Sequence, residues 1–132
     1  MATRRAEIHI ARPPAAVWAV VGDFAGLGSW MPGVDSCHAE GDTRVVGTFG
    51  IEVRERLVAR DDDTRTLRYS ISEGPLPLDA HESEITVRAA ADGASEVTWE
   101  VSVEPDEHVE MFADIYRQSL EALRAHCEAR HS

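Results

Sequence analysis

The sequence contains few features that would assign it to a specialised class of protein. It has two cysteines, and Cys37 and Cys127 are too far apart to match the spacing of a metal or redox motif. We therefore expect free thiols in a reducing compartment, with the cytoplasm as the default location. No apolar run is long enough to span a bilayer, and residues 1–14 alternate apolar and polar side chains where a signal peptide would be continuously apolar.

Positive charge is also scarce. The chain has 13 basic and 24 acidic residues, which gives a formal net charge of −11, and no local cluster of basic residues offsets it. Such a surface repels the phosphate backbone of nucleic acids and the headgroups of anionic lipids. Nucleic acid and membrane surfaces are therefore not expected as partners.

The remaining composition is that of an ordinary globular chain. Hydrophobic residues make up 43% of the 132 positions and aromatic residues 6%, which is enough to build a core and too much for a disordered chain of this charge. The length suits one domain, and no repeat, linker or low-complexity segment divides it. We predict a single domain over residues 1–132.

Hydrophobic periodicity predicts the order of the elements. Alternation in "EIHIA" predicts a first strand, apolar spacing in "AAVWAVVGDFA" predicts a helix, and "SWMP" predicts a short second helix or turn. Turn residues then separate six alternating segments, near 34–40, 43–49, 51–60, 65–73, 79–90 and 95–104. A long amphipathic helix follows over 106–129. The simplest arrangement of such a meander with one apolar-faced helix is a curved sheet that wraps around the helix.

Two stretches, "PPAAVWAVVGDFAGLGSWMPGV" and "RERLVARDDDTRTLRYSISEGPLPL", together with this order of elements, resemble the START-like (SRPBCC) superfamily and its polyketide cyclase/dehydrase branch. A more distant likeness extends to the plant abscisic acid receptors. The resemblance implies an α+β helix-grip fold, in which a seven-stranded curved antiparallel sheet wraps around a long C-terminal helix and two short helices follow the first strand. It also implies a deep cavity, entered past the loops near 47–50 and 74–78.

Strand alternation places polar and aromatic side chains on the inward face of this sheet. The inward set is Glu55, Tyr69, His81, Ser83 and Trp99 from the strands, with Phe112 and Tyr116 from the long helix. A buried carboxylate or imidazole without a partner costs several kcal/mol or becomes neutral. We therefore favour a wet or ligand-filled cavity over the alternative, in which each of these groups is satisfied separately within the core.

The sequence alone does not decide the orientation of one residue, Asp35, or the role of another, Trp30. In "VDSCHAE" either Asp35 or Ser36, each with its alternate neighbours, faces inward, and the set that contains Asp35 is the more apolar. Laying "VDSC" on the receptor pattern also points Asp35 inward, where those receptors hold a lysine that pairs with their ligand's carboxylate. The reversed charge argues against abscisic acid as the ligand. Trp30, in a short Gly-bounded segment, either caps the cavity or closes the core.

Glu55, His81 and Tyr69 form the predicted catalytic group. In the family's strand order Glu55 and His81 flank the strand of Tyr69, so about 10 Å separates them, twice the strand spacing. A carboxyl among apolar neighbours and an imidazole that titrates near neutrality suit general acid and base catalysis of enolisation, aldol closure or loss of water. The predicted ligand-binding residues are Asp35, Ser83, Trp99, Phe112, Tyr116, Trp30 and Leu78.

The resemblance implies a cyclase or dehydratase that acts without a cofactor on a small, largely apolar or aromatic, carbonyl-bearing metabolite. The alternative is a carrier or sensor that binds such a molecule without changing it, because a pocket with a few polar groups serves both functions. The six histidines form no pair at metal-ligand spacing, so no metal site is predicted. The sequence is compatible with a monomer and with a homodimer.

Overall fold

One antiparallel sheet and one long helix account for most of the chain. The computed structural model describes residues 1–129. Within them the strands are β1 (Ala2–Ile10), β2 (Val34–Glu40), β3 (Thr43–Thr48), β4 (Ile51–Asp61), β5 (Thr66–Glu73), β6 (Ala80–Ala89) and β7 (Ser95–Glu104). The helices are α1 (Pro14–Val21) and α2 (Val109–Ala129), with short 3-10 segments at Phe24–Ser29, Ala91–Gly93 and Asp106–His108.

The strands lie in the order β1-β7-β6-β5-β4-β3-β2, and each neighbouring pair is antiparallel. From β2 to β7 each strand pairs with the next one in the chain, and β1 completes the sheet beside β7. Two reversals are tight because a glycine adopts positive φ, Gly41 (65°) before β3 and Gly50 (79°) before β4. The α+β helix-grip fold predicted from the sequence is confirmed.

Helix α2 carries the apolar stripe that the sequence predicts. Val109, Phe112, Tyr116, Leu120 and Leu123 are all buried, at spacings of three and four residues. The helix packs against β1 and β7, at one side of the sheet. Leu120 and Leu123, at 1% and 0% exposure, belong to the closed core. The first half of the helix instead faces a cavity.

The N-terminal region differs from the sequence expectation in its boundaries. Strand β1 is longer than "EIHIA", because its whole length from Ala2 pairs with β7. The first helix ends at Val21, and the second short helix lies at Phe24–Ser29 and not at 29–32. Gly22 caps the C-terminus of α1, and it packs so closely that a Cβ there would come within 2.8 Å of the Trp18 ring.

The structure also addresses the features that bear on location. Within residues 1–129, neither Cys37 nor Cys127 forms a disulfide. In the same part of the chain, no helix combines the length and the apolar character needed to cross a bilayer.

A pair of valine substitutions tests the assignment of the core face. Val101 on β7 is 1% exposed and Val58 on β4 is 43% exposed. Val101→Ala is expected to lower the free energy of unfolding by about 2 kcal/mol, because it removes buried carbon and leaves a cavity. Val58→Ala, the matched control, should change it by less than about 0.5 kcal/mol. Equal losses in urea denaturation would contradict the assignment.

Candidate functional site

A cavity of about 540 Å³ lies between the first half of α2 and strands β3, β4 and β5. Most of its lining side chains are apolar, among them Val46, Val53, Ile71, Leu78, Phe112 and Ile115. The polar lining residues are Arg44, Thr48, Glu55, Tyr69, Tyr116, Gln118 and Ser119. The volume falls within the usual range for small-molecule sites.

Exposure distinguishes the mouth of the cavity from its inner end. Phe49, in the turn between β3 and β4, is 83% exposed, and Met111 on α2 is 42% exposed. Residues 74–76 and Leu78 also line the cavity, so both loops that the family resemblance places at the entrance border it. Tyr69, at 2% exposure, lies at the inner end.

A buried ion pair also lies at the inner end. Arg44 Nε donates to Glu55 Oε1 over 2.7 Å, and Arg44 Nη1 donates to the Phe24 carbonyl over 2.9 Å. The guanidinium lies over the rings of Phe24 and Tyr69, 4.2 and 4.7 Å from their centroids. Burial opposes the charge of Arg44, but the Glu55 carboxylate and Tyr69 outweigh it and raise the Arg44 pKa. Arg44 therefore orients Glu55 and balances its charge.

Sequence reasoning placed Glu55 on the inner face but missed Arg44. Alternation in "TRVVGT" puts Arg44 on the same face as Val46 and Thr48, and all three line the cavity. Arg44 is directly opposite Glu55 in the β3–β4 register. An opposite charge at a cross-strand position is the signal that identifies the pair, once that register is known.

A second polar system links four of the predicted residues. The hydroxyls of Tyr69 and Tyr116 are 3.1 Å apart, those of Tyr116 and Ser83 are 2.6 Å apart, and Ser83 Oγ lies 3.2 Å from His81 Nε2. His81 Nδ1 accepts the backbone N–H of Ile71 over 3.1 Å. The two tyrosines line the cavity, whereas His81 and Ser83 are buried behind them.

Burial governs the protonation of the side chains in this hydrogen-bonded chain, which runs from His81 through Ser83 and Tyr116 to Tyr69. Desolvation lowers the pKa of His81 to about 4, so the ring is neutral near pH 7. Desolvation also raises the pKa of Tyr69 to about 12 and that of Tyr116 well above its usual value. The Phe112 ring, with its centroid 5.1 Å from that of His81, contributes to the apolar surroundings. All of these groups are therefore uncharged at neutral pH.

The predicted aromatic residues divide between the cavity and the core. Phe112 lines the cavity, as does Leu78. Trp99 lies behind it and stacks on Tyr116, with ring centroids 3.9 Å apart and an interplanar angle of 9°. Trp30 lies 6.0 Å from Trp99, and both tryptophans are buried in the hydrophobic core. Of the two interpretations of Trp30, closure of the core is the one that the structure supports.

Asp35, predicted to face inward and bind ligand, is instead exposed and does not line the cavity. The register between β2 and β3 shifts between Val34 and Ser36, so Asp35 is an extra residue in an edge strand. Alternation cannot be counted through such a bulge. Val34 and Cys37 are the β2 side chains that pack against the core.

The histidines do not assemble a metal site in the part of the chain that the structure describes. No group of three His, Cys, Asp or Glu side chains among residues 1–129 is arranged to hold a metal ion. Two of the histidines instead contact surface glutamates, His9 with Glu96 over 2.7 Å and His38 with Glu40 over 2.9 Å.

A curved antiparallel sheet around a C-terminal helix, with an apolar cavity between them, defines a helix-grip ligand-binding protein. Residues 1–128 match the family model described as "Polyketide cyclase / dehydrase and lipid transport". The chain belongs to this family, which favours a small hydrophobic ligand. Among curated protein sequences, none matches the chain.

Solved structures agree with this assignment. XoxI of Bacillus cereus is 29% identical to this chain, with a TM-score of 0.92 and coverage of 100% of both chains. An uncharacterised protein from Bacillus thuringiensis is 26% identical, with a TM-score of 0.88 over 94% of this chain and 97% of that one. A START superfamily protein from Mycobacterium smegmatis, at 14% identity and a TM-score of 0.79, covers 96% of this chain and 97% of its own length and shares the fold.

The pKa of His81 leads to a prediction about acid stability. The ordinary value of 6.5 falls to about 4 in the folded protein, so the unfolded chain binds a proton more readily than the folded one between these values. Stability that is fully present above pH 6.5 is therefore lost as the pH falls towards 4, by about 3 kcal/mol from this group. His81→Gln should remove this part of the pH dependence, as measured by urea denaturation from pH 7 to pH 4.

The matched control is His38→Gln, which removes an exposed imidazole. It is expected to keep most of the wild type's loss of stability between pH 7 and pH 4, because the contact of His38 with Glu40 is exposed and therefore weak. If His81→Gln lost stability as steeply as the wild type over this range, the neutral buried imidazole would be contradicted.

Removing only one partner of the Arg44–Glu55 ion pair should lower the free energy of unfolding. Glu55→Leu leaves the 3%-exposed Arg44 guanidinium without its countercharge, and we expect a loss of about 3 kcal/mol in the free energy of unfolding. Adding Arg44→Met should recover more than half of that loss, because both charges are then absent. The control Glu40→Leu, at an exposed pair with Arg54, should be close to neutral. A double variant no more stable than Glu55→Leu would contradict the pairing.

Proposed function

We propose that this protein binds one small, largely apolar, carbonyl-bearing metabolite in the cavity, as a carrier or sensor. The observation that carries the proposal is the cavity of about 540 Å³, whose walls are mostly apolar and whose buried polar side chains include Arg44, Tyr69 and Tyr116. Such an arrangement orients a molecule that has an apolar body and one polar end. The family description, which includes lipid transport, is consistent with this function.

The contacts of His81 support binding over acid–base catalysis by the predicted pair. A general base needs a free lone pair within hydrogen-bond reach of the substrate. In His81, Nδ1 is occupied by the Ile71 amide and Nε2 contacts Ser83. The ring also lies behind the cavity lining and not in it. These contacts favour a structural role for His81 over the catalytic role that the sequence suggested.

Glu55 supports a second candidate function, cyclisation or dehydration without a cofactor. Its carboxylate lines the cavity and its side chain is 13% exposed. As a base it would remove a proton from the carbon between two carbonyls, and the resulting enolate carbon would attack a third carbonyl. The new alkoxide would take up the proton, and loss of water would complete the dehydration. Arg44 would balance the charge on Glu55 throughout, and Tyr69 would lie beside the reacting carbonyls.

A cavity-filling substitution tests the binding proposal. Val53 on β4 lines the cavity, whereas Val58 on the same strand lies outside it. The wild type is expected to bind the apolar probe 2-isopropenylnaphthalene at one molecule per chain, measured by calorimetry. Val53→Trp should weaken this binding at least about tenfold, or 1.4 kcal/mol, and Val58→Trp should leave it unchanged. Equal affinity for all three proteins would place the probe elsewhere.

A linear 1,3,5,7-tetraketone distinguishes the two candidates, because the carbon between its first two carbonyls can attack the last carbonyl and close a six-membered ring. The protein is incubated with this probe, and the bound and free fractions are examined by mass spectrometry for the cyclised product, which has lost one water. A carrier returns the tetraketone unchanged. If product forms faster than in buffer, Glu55→Gln should slow it at least about tenfold, with circular dichroism used to verify that the variant is folded. Turnover that survives Glu55→Gln would remove Glu55 from the mechanism.

A further inference from the structure

The direction of the hydrogen bonds behind the cavity is fixed at one end by the backbone. Ile71 N–H can only donate, so His81 Nδ1, 3.1 Å away, must offer a lone pair. In a neutral imidazole the proton then lies on Nε2. His81 Nε2–H therefore donates to Ser83 Oγ, 3.2 Å away.

The four side chains of this hydrogen-bonded chain carry one more polar hydrogen than the hydrogen bonds between them use. His81 Nε2 and the hydroxyls of Ser83, Tyr116 and Tyr69 bring four hydrogens to three contacts. If the spare hydrogen belonged to Ser83, it would lie without an acceptor in a side chain that is 1% exposed and outside the cavity lining, which is costly. Ser83 therefore donates to Tyr116, and the spare hydrogen belongs to one of the two tyrosine hydroxyls.

Both tyrosines line the cavity. The Glu55 carboxylate lines it too, but within residues 1–129 the hydrogen bonds of the two tyrosine hydroxyls are to each other and to Ser83, and that of Glu55 is to Arg44. Had His81 carried its proton on Nδ1, Ser83 would donate to Nε2 and each tyrosine would donate towards Ser83. The tyrosine pair would then offer lone pairs to the cavity and no hydrogen. The tautomer of His81 thus decides whether the cavity presents a donor or an acceptor at this point.

We propose that the hydroxyls of Tyr69 and Tyr116 together donate one hydrogen bond to the ligand, and that His81 is the positioning residue that sets this direction through Ser83. The inference rests on the proposed function, since it takes the cavity to be the binding site, and it assigns the ligand a hydrogen-bond acceptor such as a ketone oxygen. The raised pKa values of Tyr69 and Tyr116 keep both hydroxyls protonated. Successive hydrogen bonds that all donate in the same direction also polarise and strengthen one another.

The first test needs no ligand. In the ¹⁵N-labelled protein at pH 7, long-range ¹H–¹⁵N spectra should show His81 with a protonated Nε2 and an unprotonated Nδ1. A ring protonated on Nδ1, or on both nitrogens, would overturn the direction of the chain whatever the protein binds.

The second test compares two probes of the same shape, 2-acetylnaphthalene and 2-isopropenylnaphthalene, of which only the ketone accepts a hydrogen bond. The wild type is expected to prefer the ketone about fivefold, the equivalent of one net hydrogen bond of about 1 kcal/mol. The double variant Tyr69→Phe with Tyr116→Phe should lose this preference and favour the alkene, because the ketone oxygen is then buried without a donor. Ser102→Ala, which removes a hydroxyl bonded to Thr3 and not to this chain, should retain the preference.

A matched pair at position 81 tests the positioning role. Gln in His81→Gln can accept from Ile71 and donate to Ser83, so the preference for the ketone should be retained. In His81→Glu, assayed at pH 9 to ionise the carboxyl, both oxygens accept, so Ser83 turns towards residue 81 and the preference should fall towards one. Where the Glu variant does not fold, the spectra of the wild type decide the question.

The possible outcomes separate the two proposals. Equal affinity of the wild type for both probes would overturn the donor role and leave cavity binding intact. Failure of both probes to bind would overturn the proposed function and the ligand specificity derived from it, while the His81 spectra would still decide the direction of the chain.

Discussion

The structure depends on the unequal packing of α2 against the sheet. Leu120 and Leu123 close the core at the end where the helix meets β1 and β7, while one face of the segment 111–119 lines the cavity on the side of β3 to β5. One helix cannot cover seven strands that twist and curve around it. The stack of Tyr116 on Trp99 lies where the closed core meets the cavity. The cavity is thus a consequence of the topology. Its wall on the side of the sheet is the part of the inner face that α2 does not pack against.

The sequence predicts the inward face well where a strand is paired regularly on both sides. Strand β6 runs in unbroken register with β7 over its whole length and with β5 from Ser83 to Thr86, and alternation correctly placed His81 and Ser83 on its inner face. The same rule fails at bulges. In β2 it assigned Asp35 to the interior, although Asp35 is exposed at the register shift between Val34 and Ser36. A bulge is a backbone feature with no signal in the alternation itself.

Alternation predicts the face of a side chain but not its depth. His81 and Glu55 lie on the same face of the sheet, and this made them look like an acid–base pair. In the structure, Glu55 lines the cavity while His81 is buried behind it, with both of its nitrogens in hydrogen bonds. The rotation of α2, which brings Phe112 over the imidazole and Tyr116 over Ser83, sets that difference. Depth therefore depends on tertiary packing, which the period of a strand does not encode.

The two polar systems offset the desolvation of their buried groups in different ways, and together they define the chemistry of the cavity. Arg44 and Glu55 cancel each other's charge, while the chain from His81 to Tyr69 is uncharged and fully paired except for one hydroxyl hydrogen. A ligand carboxylate would need a cation without a partner, because burying an unpaired charge costs more than a hydrogen bond returns. Arg44 is already committed to Glu55. The inner end of the cavity is therefore suited to a neutral oxygen, and the apolar walls to the body of the molecule that carries it.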